Sequence, residues 1–184
     1  FSALKDILVE SFAEIEKLYN QKEPITGVPT GFSDLDYKTA GLHNSDLVLV
    51  AARPAMGKSA FALNIATNAA VKSKVPVAIF NLEMSKSQLV SRILCSEAMV
   101  DSNKIRTGKI EEDDWTKLAT ALGPLSEAPI YIDDTPGITV AEIRAKCRKL
   151  KIEKGIGLIV IDYLQLIQGN SKRNSSREQE ISEI

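Results

Sequence analysis

Residues 47–69, LVLVAARPAMGKSAFALNIATNA, constrain this chain more than any other stretch. The apolar run 47–50 reads as a buried strand. The turn 52–56 and Gly57-Lys58-Ser59 follow, and then Phe61, Ala62, Ile65, Ala66 and Ala69 fall at helical spacing. Strand, turn, Gly-Lys-Ser and helix in that order form a phosphate cradle. Backbone N–H groups and a helix N-terminus face the anion, a lysine reaches the β/γ-phosphates, and a serine hydroxyl meets Mg²⁺. Arg53, Pro54, Ala55, Met56, Gly57, Lys58, Ser59 and Ala60 are therefore the candidate nucleotide-binding residues. The first glycine of the G-x-x-x-x-G-K-[ST] pattern is replaced by Ala52. The turn survives that exchange if position 52 does not need a positive φ.

The remaining chain alternates strands and helices. Residues 76–81 (PVAIFN) read as a second buried strand, and Ser85 as the N-cap of a helix carrying Leu89, Ile93 and Leu94. Residues 101–108 read as a polar connection and 111–122 as a helix with an acidic first turn. Residues 129–132 form a third strand, Thr139 opens a helix with Ile143, Cys147 and Leu150, and 157–162 form a fourth strand. Upstream, 25–46 is dense in turn signals, with Ser33 as N-cap of a short helix over 34–39. Residues 1–20 place Phe1, Leu4, Leu8, Phe12, Ile15 and Leu18 on one stripe of an amphipathic helix, which 20–24 terminates. That helix packs either on its own domain or on another subunit. The expectation is an α/β fold with a mostly parallel sheet covered by helices on both faces. Its divisions are 1–22 as a linker helix and 23–184 as the α/β domain.

In such sheets ligands bind at the carboxyl ends of the strands. Asp162 closes the fourth strand, where a carboxylate can hold Mg²⁺ through water beside Ser59. Glu83 follows the second strand, where it can orient or deprotonate the water attacking a γ-phosphate. Gln165, three residues past Asp162, is a possible phosphate sensor or DNA contact, or a satisfied polar residue. Lys172, Arg173 and Arg177 lie in a Ser/Asn-rich loop without aromatics, which suits phosphate contacts and not base reading. Glu97, Glu111 and Glu112 read as surface charges.

Composition excludes several classes. At net charge −1 there is no global basic field, so nucleic acid must be met by a local patch. Cys95 and Cys147 lack a C-x-x-C partner, which fits a reduced cytoplasmic protein. No apolar run approaches a membrane span and no secretory signal opens the chain. His43 sits in a polar turn, and no metal-ligand cluster is present in the sequence.

Five segments together resemble the DnaB family of bacterial replicative helicases, hexameric RecA-like ATPases. They are ITGVPTGFSDLD (25–36), AARPAMGKSAFALN (51–64), FNLEMS (80–85), YIDDTP (131–136) and GLIVIDYLQLI (157–167). That family commonly carries alanine where Ala52 stands. Recombinases and other RecA-like ATPases share the phosphate loop and the strand-end aspartate but not the LEMS and DYLQLI wording. The resemblance implies ATP and Mg²⁺ as cofactors, with Lys58 and Ser59 at phosphate and metal. Asp162 becomes the Walker B carboxylate and Glu83 the catalytic glutamate. It further implies single-stranded DNA, a homo-hexamer, a primase and a helicase loader as partners. The first helix becomes a linker docked on the neighbouring subunit, and 169–177 a central-channel loop. Family members also carry an N-terminal helical domain and, further on, a sensing glutamine, a DNA-binding loop and an arginine finger. The expectation is thus a fragment, truncated at the C-terminus, whose own turnover is open. The competing readings are another RecA-like ATPase, of recombinase or clock type, and a nucleotide-binding or subunit-interaction module without turnover.

Overall fold

A computed structural model of the chain describes residues 3–20 and 25–167. The elements are α1 (Leu4–Asn20), α2 (Ser33–Thr39), α3 (Lys58–Val71), β1 (Val77–Asn81), α4 (Lys86–Ala98) and α5 (Ser102–Thr107). They continue with α6 (Glu112–Glu127), β2 (Ile130–Asp133), α7 (Val140–Lys154), β3 (Leu158–Asp162) and a single 3₁₀ turn, Leu164–Leu166. Among the described residues the sheet is three-stranded and parallel, in the order β2-β1-β3.

β1 is the centre of the molecule because every one of its residues is apolar or, at its end, an amide with partners, and all five are buried. Its alternation sorts the core into two layers. Val77 and Ile79 face α3 and α4, where they pack with Leu63, Ala66, Ala69, Ala70, Leu89 and Ile93. Their register partners Ile130, Ile132, Leu158 and Val160 extend that layer across the sheet. Ala78 and Phe80 face the other way, onto Ile143 and Cys147 of α7 and onto Ile138, Ile156 and Ile167. Helices thus cover both faces. Ala66, Ala69 and Ala70 are wholly buried, and their small side chains let α3 lie close against β1. A larger residue there has no space to enter, and such overpacking costs about 1–3 kcal/mol.

One carboxylate braces the turn-rich segment, and one amide of α3 fastens it to that helix. Asp36, buried in α2, accepts hydrogen bonds from the Thr30 amide at 2.8 Å, the Thr30 hydroxyl at 2.7 Å and the Gly31 amide at 3.1 Å. Asn68 of α3 donates from Nδ2 to the Thr30 carbonyl at 3.0 Å. Gly31 has φ +81°, and a Cβ there would lie 2.3 Å from Asn68 Nδ2, so conformation and space both require glycine.

Several sequence expectations are corrected. Residues 47–51 form no strand: Leu47 is 84% and Leu49 70% exposed. An apolar run becomes a strand only where a neighbour takes up its backbone groups, and none of the three strands pairs with it. Ser33 is the first residue of α2, not its cap; Phe32 holds the cap position without a side-chain bond. Residues 101–108 contain α5, capped by the Asp101 side chain and closed by Gly108 in the left-handed region. α6 runs on through Pro124 to Glu127. The expected helices at α3, α4 and α7 and the strands at β1, β2 and β3 are present, with ends shifted by a residue or two.

Candidate nucleotide-binding site

The turn 52–57 is shaped by two residues in the left-handed region. Gly57 has φ +86° with open space around its Cβ position, so the backbone angle alone calls for glycine. Ala55 has φ 63°, whereas Ala52 is not among the positive-φ residues. The departure at 52 from the glycine pattern therefore carries no strain. α3 begins at Lys58 without a side-chain cap and without an acidic residue in its first turn. By contrast α4, α5 and α7 are capped by Ser85, Asp101 and Thr139. The N-terminus of α3 is left open to an anion, which the helix dipole and its N–H groups favour. Arg53, Pro54, Ala55, Met56 and Ala60 line the exposed turn around Ser59, which is half-buried.

β3 brings its last residue to the same place. Lys58 Nζ lies 3.6 Å from Asp162 Oδ1, with the lysine side chain 29% and the aspartate 8% exposed. The ammonium also sits 4.2 Å from the centroid of the Tyr163 ring. Serine hydroxyl and carboxylate are hard oxygen donors, so Ser59 and Asp162 fit Mg²⁺ and not a softer metal. Among the described residues no group of three or more His, Cys, Asp or Glu offers a separate metal site.

The parallel register carries the site sideways. Asn81 stands opposite Asp162 at the strand ends, and the next amide, Leu82 N–H, donates to the Asp162 carbonyl at 2.8 Å. Glu83 follows in the turn, with its side chain exposed. Ser85 then caps α4 in a reciprocal pair with Gln88. Asp134, just past β2, accepts from the Lys86 amide at 3.1 Å and pairs with Lys86 Nζ at 2.9 Å. Hydrogen bonds from the Lys86 ammonium and amide hold the Asp134 carboxyl below the usual carboxylate range. Burial would raise the neighbouring Asp133, but hydrogen bonds from Lys146 and Thr135 outweigh it and bring its pKa to about 2.

The sequence-predicted residues thus divide. Lys58 and Asp162 are brought into contact, Ser59 follows Lys58 in α3, and Glu83 stands past the adjacent strand end. Gln165 is exposed in the turn after β3. Lys172, Arg173 and Arg177, and the helix expected from Glu178, lie outside the described residues, as do Phe1 and the exit 21–24. Sequence reasoning assigns no role to Asn81, Asp134 or Tyr163. All three stand inside the family motifs, but nothing in residue type or spacing distinguishes them.

Comparison with known proteins places this geometry. Residues 27–184 match the family described as DnaB-like helicase C terminal domain. The chain is 57% identical over its whole length to the replicative DNA helicase DnaC of Bacillus subtilis (strain 168). It is 58% identical to the replicative DNA helicase DnaB of Geobacillus stearothermophilus, and it spans 40% of the length of each. Among solved structures it resembles an ATPase domain with a TM-score of 0.88 at 36% identity, covering 99% of this chain and 64% of that one. A DnaB-like replicative helicase, described together with its interactions with primase, matches all of this chain and 43% of its own, with a TM-score of 0.84 at 36% identity. The wording of the motifs, the parallel α/β architecture and the match over most of the sequence agree: the chain belongs to the DnaB-like helicase C-terminal domain family, with a RecA-like fold.

Proposed function

We propose that this chain is the nucleotide-handling part of an ATP-dependent replicative DNA helicase. In that protein, ATP hydrolysis drives translocation on single-stranded DNA and unwinding at the replication fork. The observation that carries the reading is the meeting of Lys58 and Asp162, 3.6 Å apart, at the uncapped N-terminus of α3. The amides at the start of α3 and Lys58 bind the phosphates. Ser59 and Asp162 would hold Mg²⁺, which when bound would neutralise charge on the phosphate oxygens. Glu83 orients the attacking water and takes its proton. Lys172, Arg173 and Arg177 contact DNA phosphates, and Gln165 senses the nucleotide.

Relatives named replicative DNA helicases support DNA as the track and a cytoplasmic site of action. The related helicase described with its primase interactions supports primase as a partner. A homo-hexamer and a helicase loader complete the reading through the family resemblance. No helix among the described residues is long and apolar enough to cross a membrane. Residues 1–22 serve as the linker helix and 23–184 as part of the ATPase domain, a division supported by a family match that begins at residue 27. The test is nucleotide binding and ATP-driven unwinding in the full-length protein that contains this sequence. Lys58→Ala is expected to abolish both while leaving the fold intact. Equal ATP affinity in wild type and variant would refute the reading.

A further inference from the structure

We propose that Asn81 is a positioning residue that holds Glu83 at the mouth of the site. This rests on the reading of Glu83 as the group acting on water. Asn81 is 1% exposed at the last position of β1. Its amide is directed to the turn that follows. Nδ2 donates to the Met84 carbonyl at 3.1 Å, and Oδ1 accepts from the Glu83 and Met84 amides at 3.4 Å each. A buried amide has to place its donors and acceptor, and here those three bonds go to the two residues that set the direction of Glu83. The turn is gripped on both sides of Asn81's contacts. Leu82 N–H is tied to the Asp162 carbonyl before it, and the Lys86 amide is tied to Asp134 after it. Glu83 is left as the exposed side chain of a turn whose backbone is fixed to the same strand end that carries Asp162. A carboxylate that must meet a water in one geometry gains from a fixed backbone, since misplacement of a catalytic group by about 1 Å can cost about 10²-fold.

The test is steady-state ATPase kinetics and nucleotide affinity in the full-length protein, comparing wild type, Glu83→Gln, Asn81→Ala, Asn81→Val, Asn81→Ser and Asn81→Ala with Glu83→Gln. Alanine and valine both remove the three contacts, and valine fills the space and favours the strand. Whichever folds with wild-type ATP affinity is read. It is expected to lower kcat by about 10–100-fold with KM for ATP within about twofold. Serine, whose hydroxyl can accept from an amide two residues on, is expected to keep most of the turnover. In the Glu83→Gln background, Asn81→Ala is expected to add less than about threefold, because the two residues act as one unit. Wild-type kcat in the alanine or valine variant would overturn the proposal. So would an undiminished effect of Asn81→Ala once Glu83 is already glutamine. Normal turnover in Glu83→Gln alone would instead remove the reading of Glu83 itself, and the positioning role with it.

Discussion

Lys58 and Asp162 form an ion pair of 3.6 Å between the first residue of α3 and the last residue of β3. The aspartate is buried and the lysine mostly so, and removing one partner of such a pair leaves the other charge uncompensated. Lys58→Met is therefore expected to lower stability by about 1–3 kcal/mol, less than for a fully buried pair because the lysine is partly solvated. Adding Asp162→Asn should recover part of that loss. Thermal unfolding without nucleotide reads the effect. A double variant less stable than Lys58→Met would show that Asp162 is held by something other than this lysine.

The two carboxylates should separate kinetically. Asp162 is assigned to the metal, so Asp162→Asn is expected to weaken Mg-nucleotide binding as well as turnover. Glu83→Gln keeps size and hydrogen bonding but cannot accept a proton. It is expected to bind ATP almost normally and to lose about 10²–10⁴-fold in kcat. Isothermal titration and ATPase rates on the full-length protein decide between the roles. Equal losses of affinity in both variants would place Glu83 at the phosphates and not at the water.

Much of this site is legible in the residues alone, and the reason is local. Gly57-Lys58-Ser59 sits where a tight turn meets a helix, so spacing and residue type announce the same structure. Asp162 is legible because a charge that ends an apolar strand stands at the rim of the sheet, where ligands bind. What spacing does not encode is pairing. Residues 47–50 have the composition of a buried strand, but hydrogen-bond partners are a tertiary property, and no described strand supplies them. Asn81 is hidden for a similar reason: an asparagine at a strand end reads as a turn former until its partners are seen. α5 escapes sequence reading because six residues are too few for a periodic signal, although Asp101 and Gly108 are its two caps.

Asp133 makes part of the stability pH-dependent. Burial pushes its carboxyl upward, but Lys146 Nζ at 2.6 Å and Thr135 override burial and bring the folded pKa to about 2, below the ordinary 3.8. A depressed carboxylate contributes stability that is present above its unfolded pKa and is lost as pH falls through the folded value. The loss from this residue should run between about pH 5 and pH 2 and amount to about 1–2 kcal/mol, screening at the half-exposed Lys146 included. Lys146→Met removes the counter-charge but leaves the Thr135 hydrogen bonds, so Asp133 moves back up toward its ordinary value and the acid loss from this residue shrinks. Urea unfolding at pH 7 and pH 3 is expected to show a smaller difference in the variant than in wild type. An unchanged difference would mean that other carboxylates account for the acid sensitivity.

We infer a partner surface for the exposed stripe of α1. Leu4 is 71%, Leu8 58%, Phe12 72% and Ile15 60% exposed on a helix otherwise rich in charge. Each such side chain contributes about 1.5–3 kcal/mol when buried, so four of them left in water along one face are a poor design for a helix that stays solvated. The proposed occupant is the α/β domain of a neighbouring copy. Removing residues 1–22 is then expected to reduce self-association while leaving the unfolding midpoint of the domain within a few degrees. Phe12→Ser with Leu8→Ser should do the same without shortening the chain. Sedimentation and thermal unfolding on the same samples distinguish the alternatives. Were the midpoint to collapse with the oligomer size unchanged, the stripe would belong to the chain's own domain, and a helix docked on a neighbouring copy would lose its physical basis.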